Sequence, residues 1–246
     1  AQYLQGNEWD APMNYYGCGR VIRQFLGEPD LFMARNAVLR SVPYRMTAKD
    51  VKNRVLEHLA KLPYVMWENQ FNLFDSHDAS RLHNNPIISQ ESYRGAVSFQ
   101  FLLTGAASVY YGDEAEIDGT LGTNEGCRYP MPWSRDIPSC DAYRLIHTMT
   151  HLKADHKALR QGGMKFLYAE GSVVAIARFW EDEVFVGVIS TERQDVKIRL
   201  PLGTVGATTP KEHADIFGTP LDYRPVDGYS IELTVKAGQS YLMECR

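Results

Sequence analysis

The chain has 246 residues, of which 44 % are hydrophobic and 23 % are charged, and its net charge is −4. These proportions are those of an ordinary globular protein. The acidic balance argues against a nucleic-acid partner, because a duplex-binding surface is basic. No apolar run approaches the ~18 residues that a membrane-spanning helix needs, so we expect no membrane partner either.

The cysteines and short motifs exclude several classes of site. Cys18, Cys127, Cys140 and Cys245 do not form a CxxC pair, so neither a zinc knuckle nor a dithiol redox site is predicted. We expect reduced thiols and a cytoplasmic location. The sequence also contains no GxxxxGK[ST] phosphate loop, no GxSxG nucleophile motif and no HExxH zinc motif.

Three histidines fall on one predicted helix, at spacings of four and five residues: His147, His151 and His156. This spacing does not place all three side chains on one face of the helix. The sequence therefore predicts no metal site.

Short apolar runs alternate with helical patterns over the first two thirds of the chain. Three helices are predicted: over residues 47–62, where Thr47 with Asp50 resembles a capping box; over residues 89–103, with Ser89 as N-cap; and from Asp141, as the cap, onward. Two strands are predicted, over residues 71–74 and, as a buried strand, over residues 106–111. Strands that alternate with helices indicate βα units with a parallel sheet, whose functional residues follow the strand ends.

The pattern changes after Gly162. Five strands separated by turn residues are predicted, over residues 173–180, 184–189, 196–200, 229–235 and 240–243. Without intervening helices, this pattern is typical of an antiparallel β-sandwich. We therefore place a domain boundary near residue 160.

Polar clusters follow both strands of the first region. Ser76, His77 and Asp78 follow the first strand, and Asp113 with Glu114 follows the second. A carboxylate at a strand end can stabilise developing positive charge or orient a sugar hydroxyl. The alternative is a solvated loop acid or a helix cap.

Four segments resemble the α-amylase family of glycoside hydrolases, in its neopullulanase, cyclomaltodextrinase and maltogenic amylase branch. FNLFDSHDASR (residues 71–81) resembles the end of the seventh barrel strand, and GAASVYYGDE (residues 105–114) resembles the eighth. NEGCRYPMPW (residues 124–133) resembles the following loop, and LQGNEWDAPMNY (residues 4–15) resembles the approach to the sixth strand. The four segments occur in the family's order and spacing.

The resemblance implies an α/β plus all-β fold. Residues 1–160 would form strands six to eight of a (β/α)8 TIM barrel, which is its second half. Residues 161–246 would form the C-terminal antiparallel β-sandwich.

The resemblance also implies retaining hydrolysis of α-glucosidic bonds in maltodextrins or cyclomaltodextrins, with no cofactor. By the match, Asp78 is a third catalytic carboxylate that stabilises the transition state, and His77 binds a sugar hydroxyl. Arg128 matches an arginine that binds a neighbouring glucose unit, and Tyr15 matches a tyrosine on the acceptor side. Asn124 stands where the branch usually has an aspartate, and its amide can still hydrogen-bond a hydroxyl.

The other two catalytic carboxylates of the family precede the first matched segment. We therefore expect the isolated chain to be inactive, as the C-terminal part of a larger hydrolase whose partner is the missing N-terminal half of the barrel. The substrate would be a maltooligosaccharide or a cyclomaltodextrin, and pairing within the branch implies a homodimer. The alternative is a non-catalytic carbohydrate-binding or interaction module.

Three further residues are expected to support the site or to line it. Arg81 is expected to pair with a nearby acid and to steady the loop of His77 and Asp78. Glu114 is expected either to line the cleft or to bind a loop amide. Trp133 is the best tryptophan for stacking on a sugar, because its loop borders the site.

Overall fold

The computed structural model describes residues 7–28, 45–120 and 126–246. Within these described residues, the N-terminal region contains a π-helical turn, Tyr15–Gly19, and five helices: α1 (Arg20–Phe25), α2 (Ala48–Ala60), α3 (Gln90–Leu102), α4 (Asp141–Asp155) and α5 (Lys157–Arg160). Short 3-10 turns occupy Tyr64–Met66, Leu82–Asn84 and Ile137–Ser139.

The predicted starts of α2 and α3 are confirmed. Thr47 and Asp50 form a capping box, in which the Thr47 hydroxyl accepts from the Asp50 amide and the Asp50 carboxylate accepts from the Thr47 amide. The Ser89 hydroxyl likewise accepts from the Ser92 amide. The predicted cap of α4 is wrong, because Asp141 is its first helical residue and the Ala142 amide donates to Glu116 Oε1 instead.

Two short strands form a parallel pair, β1 (Phe71–Asn72) with β2 (Ala106–Ala107). Met13 forms a parallel bridge to Phe71 on the other side of β1. The predicted buried strand over residues 106–111 is wrong in length and in burial, since Val109 is 36 % exposed and Tyr111 is 41 % exposed. Within the described residues β2 pairs with β1 alone, so its outer edge has no covering strand.

The C-terminal region consists of seven antiparallel strands in two sheets: β3 (Gly163–Glu170), β4 (Val173–Trp180), β5 (Glu183–Ser190), β6 (Val196–Leu200), β7 (Tyr223–Asp227), β8 (Ser230–Val235) and β9 (Tyr241–Cys245). The strand order is β3-β4-β5-β9 in one sheet and β6-β8-β7 in the other. The five predicted strands are confirmed to within two residues. The sequence pattern missed β3 and β7, whose residues are mostly half-buried or exposed and lack a clear apolar face.

Alternate residues of β4 face two different hydrophobic cores. Val173, Ala175 and Ala177 pack between the two sheets. Val174 and Ile176 pack against the helices of the N-terminal region. Both faces of β4 are therefore covered, which explains why this strand reads as a continuous apolar run. The domain boundary near residue 160 stays a prediction.

Two basic side chains, Arg178 of β4 and Lys153 of α4, bind the carbonyls at the C-terminal end of α3. The buried guanidinium of Arg178 in β4 donates to the carbonyls of Leu102 at 3.2 Å and Leu103 at 3.1 Å. The Lys153 Nζ of α4 donates to the carbonyl of Phe101 at 3.0 Å. These carbonyls lie at the end of the helix, where they lack a partner within it, so the two side chains satisfy them.

All four cysteines are free and buried, and reduced thiols stay a prediction. Among the described residues, no helix is both long and apolar enough to cross a membrane.

Candidate functional site

The candidate site begins in the chain that enters the parallel pair. Asn14 is buried, and its Oδ1 accepts from the Gly17 amide at 2.8 Å, which caps the π-helical turn. Its Nδ2 donates to Asn72 Oδ1 in β1, also at 2.8 Å. These two bonds fix the backbone on which Tyr15 stands next to the end of β1.

Ser76 connects Tyr15 to the turn that follows β1. The buried Ser76 Oγ accepts from the Tyr15 hydroxyl at 3.0 Å and from the Asp78 amide at 3.1 Å. Ser76 also bridges Ala79 across the turn. The sequence placed Ser76 in the polar cluster but gave it no role, whereas the structure makes it the shared acceptor of the site.

His77 and Asp78 lie at the tip of this turn. Their side chains are 50 % and 63 % exposed, and His77 Nε2 lies 3.3 Å from Asp78 Oδ2. Arg128 Nη2 approaches from the loop after β2 and lies 4.0 Å from Asp78 Oδ1. An accessible carboxylate is thus flanked by two nitrogen groups. The carboxylate can accept from a hydroxyl or stabilise a developing positive charge, and the nitrogen groups can donate to hydroxyls.

A buried ion network holds the base of the turn. The Arg23 guanidinium pairs with both Asp75 and Glu28, and it donates to the carbonyls of Phe74 and Ser80. Burial lowers the pKa of Arg23, but the charges of Asp75 and Glu28 raise it, and the net direction is upward. Arg23 therefore stays charged and ties together the two ends of the segment that carries His77 and Asp78. No sequence signal linked Arg23 to this loop.

The expectation that Arg81 pairs with an acid is confirmed. Its Nη1 donates to Asp113 Oδ1 at 2.6 Å, which connects the loop after β1 to the loop after β2. The guanidinium also lies 4.7 Å from the ring centre of Tyr110. Gly119 accommodates this side chain, because a Cβ there would lie 2.9 Å from Arg81 Nε.

Asp75, His83 and Asp113 offer ligand atoms within 4.8 Å of one another. Both carboxylates already face a guanidinium, so their negative charge is neutralised without a metal ion. His83 Nε2 lies 2.9 Å from the Ile117 carbonyl, which can only accept, so this nitrogen carries the proton. Burial lowers the pKa of His83 and favours this neutral form. We interpret the group as a structural charge network.

The remaining predicted residues have mixed outcomes. Asn124 lies outside the described residues. Glu114 accepts from the Gly112 amide at 2.8 Å, which is the loop-amide alternative, although it also lines a cavity described below. Trp133 is 81 % exposed and therefore accessible to a ligand.

Comparisons with known proteins point to one family. A cyclomaltodextrinase of Bacillus sp. is 33 % identical over 181 residues, which cover 74 % of this chain and 29 % of that protein. The solved structure of a cyclomaltodextrinase has a TM-score of 0.76 and 26 % identity, covering 100 % of this chain and 38 % of its own. The chain belongs to the α-amylase family of glycoside hydrolases.

Within the α-amylase family, the matched branch contains cyclomaltodextrinases and neopullulanases. Neopullulanase 2 of Thermoactinomyces vulgaris is 27 % identical over 204 residues, which cover 81 % of this chain and 32 % of that protein. No family model matches the chain. The chain thus spans 29–32 % of the length of these curated α-amylase-family relatives.

Proposed function

We propose that the residues around Asp78 form one side of a cleft that binds an α-glucan during retaining hydrolysis of its α-glucosidic bonds. The observation that carries the proposal is the convergence of residues far apart in sequence on one exposed turn. Tyr15 bonds Ser76 at the base of this turn, and Arg128 approaches Asp78 at its tip. The names of the relatives, cyclomaltodextrinase and neopullulanase, supply the substrate class.

Each residue has a defined chemical role in this proposal. Asp78 stabilises the positive charge that develops on the sugar ring in the oxocarbenium-like transition state. His77 donates to a hydroxyl of the same sugar, while Arg128 and Asn124 bind the next glucose unit. The Tyr15 ring packs on the acceptor side. These groups bind the sugar and stabilise the charge of the transition state, and none of them acts as nucleophile or as general acid.

We propose that the chain consists of two domains. Residues 1–160 form strands six to eight of a (β/α)8 barrel with their helices, and residues 161–246 form a separate sandwich domain. The parallel pairing of Met13, β1 and β2 supports the first part. The two antiparallel sheets around a common core support the second. Pairing into a homodimer remains a prediction.

The chain by itself is proposed to lack hydrolytic activity. Retaining hydrolysis needs a nucleophile and a general acid/base about 5–5.5 Å apart, in addition to the role given to Asp78. The matched motifs contain neither of them. A polypeptide that carries the other half of the barrel would have to supply both carboxylates.

The second candidate function is a non-catalytic carbohydrate-binding module. The observation that favours it is the exposure of two tryptophan side chains, Trp9 at 68 % and Trp133 at 81 %. Exposed indole rings can stack on sugar faces without any catalytic carboxylate.

Calorimetric titration of maltoheptaose and of a cyclomaltodextrin onto the chain tests the first proposal. We expect weak binding that Asp78→Asn and Arg128→Met each reduce about tenfold, since each removes a charged hydrogen-bonding partner. Asp182→Asn, at an exposed acid in the turn between β4 and β5, is the matched control and should bind like the wild type.

A reducing-sugar assay separates the two candidates. The chain alone should release no sugar, and a mixture with a barrel half of a cyclomaltodextrinase that carries the other two carboxylates should do so. Asp78→Asn should abolish that activity. Binding that ignores Asp78→Asn and Arg128→Met but disappears with Trp133→Ala would favour the binding module, and hydrolysis by the chain alone would refute the proposed inactivity.

A further inference from the structure

The geometry assigns a divalent transition-metal site to His147 and His151, on the exposed face of α4. The spacing of His147, His151 and His156 along the chain, taken together, predicts no metal site. The structure separates them, because His156 Nδ1 lies 3.2 Å from Glu183 Oε1 on another side. The remaining two side chains are exposed, and their Nε2 atoms lie 3.1 Å apart.

This spacing follows from the helix. Residues four apart lie one above the other, with about 5–6 Å between their Cβ atoms. The two imidazole rings lean toward each other, and their centres are 4.2 Å apart. Tyr143, one turn earlier, stacks on His147 with ring centres 5.6 Å apart and restricts how that ring can turn. The two Nε2 atoms therefore lie side by side on the exposed face of one helix, close enough to share a hydrogen bond.

The distance between the two nitrogens matches the bite of one metal ion. Zinc binds imidazole nitrogen at about 2.0–2.1 Å, so two nitrogens at a tetrahedral angle lie about 3.3 Å apart. At a right angle, as in a square-planar copper or nickel site, they lie about 2.9 Å apart. The observed 3.1 Å falls between these values. An ion bound by both nitrogens would replace the hydrogen bond that they now share.

The surroundings leave room for water ligands and carry a favourable charge. Both histidines line a cavity of about 400 Å³, together with Tyr111 and Glu114 from the loop after β2. The cavity leaves room for water molecules to complete the coordination sphere. The Glu114 carboxylate in its wall favours a cation, and imidazole is a preferred ligand of zinc, copper and nickel ions. The ligand class is therefore a first-row divalent metal of this group.

Titration of NiCl2 and of ZnCl2 onto the tag-free chain at pH 7.5 tests the site. We expect one ion per chain and a metal-dependent rise in the midpoint of thermal unfolding, because the ion binds the native state. His147→Gln and His151→Gln should each lose both signals.

His213→Gln is the matched control, because His213 is exposed and stacks on Tyr223 far along the chain. This variant should bind like the wild type. Circular dichroism shows whether the α4 variants keep their helix. Wild-type protein that binds no ion, or α4 variants that bind as tightly as the wild type, would overturn the assignment. Neither result depends on the proposed sugar site, whose test uses other residues and ligands.

Discussion

The Arg81 guanidinium donates to Asp113 at 2.6 Å, and the two side chains are 0 % and 2 % exposed. This pair joins the loop that carries His77 and Asp78 to the loop that leads toward Arg128. Two loops from neighbouring strands are thereby held at a fixed separation by a bond that water does not reach. This buried pair, together with the buried ion pairs of Arg23, holds the exposed groups of the candidate site in position.

Arg81→Met should destabilise the protein strongly. It leaves the Asp113 carboxylate buried without its cation, which is expected to lower the free energy of unfolding by about 3–5 kcal/mol in urea denaturation. Arg144→Met is the control, because its pair with Asp141 is about 60 % exposed on both sides. That change should cost about 0–1 kcal/mol. Similar losses in the free energy of unfolding for the two variants would show that burial does not make the pair of Arg81 with Asp113 more important than an exposed pair.

Ser76→Ala should affect both stability and sugar binding. It removes the acceptor shared by the Tyr15 hydroxyl and the Asp78 amide, at a cost of about 1–3 kcal/mol in the free energy of unfolding. Calorimetry should show weaker maltoheptaose binding, because the turn is no longer fixed. Ser134→Ala, at an exposed serine, should change neither quantity. An Ser76→Ala variant that binds and unfolds like the wild type would refute this role.

Gly105→Ala should be far more damaging than the same change at Gly218. Both glycines have positive φ, of 100° and 82°, and an alanine there costs about 1–2 kcal/mol. At Gly105 the new Cβ would also lie 2.3 Å from the Gln70 carbonyl, while nothing lies within 4 Å at Gly218. The overpacking adds about 1–3 kcal/mol. Urea unfolding of the two variants measures the difference, and equal losses would show that backbone conformation alone matters.

Lys153 should make stability depend on pH. Burial, and then the charge of Arg178, lower the pKa of Lys153 from 10.5 to about 7. Above pH 7 the unfolded chain keeps a proton that the folded chain has lost, so the free energy of unfolding rises with pH up to about 10.5. Lys153→Met should remove this part of the slope.

The readout is the difference in slope between Lys153→Met and the wild type, measured by urea unfolding between pH 7 and pH 9. Other titrating groups are common to both proteins. The loss of the bonds to the carbonyls changes the free energy of unfolding by the same amount at every pH and leaves its slope unchanged. Lys49→Met, at an exposed lysine, should keep the wild-type slope. A wild-type slope in Lys153→Met would show that this amine keeps its ordinary pKa in the fold.

Local signals in the sequence predicted much of the fold. Thr47 with Asp50, and Ser89 alone, marked two helix starts, because a cap is formed by residues three apart. The run over residues 173–180 predicted β4 to the residue, since both of its faces are buried. The segment FNLFDSHDASR also placed His77 and Asp78 after a strand, where the structure has them.

Residue order alone therefore determined three of the five described helices (α2, α3 and α4), most strands, the polar turn and the family resemblance, all of which depend on near neighbours along the chain. Only the tertiary structure decided that Arg23 forms an ion pair with Asp75, that the Tyr15 hydroxyl donates to Ser76, and that β2 is exposed on one side. These features depend on contacts between distant segments, and a side chain gives no local sign of its distant partner. The separation of His156 from His147 and His151 belongs to the same class, because Glu183 in β5 draws it away.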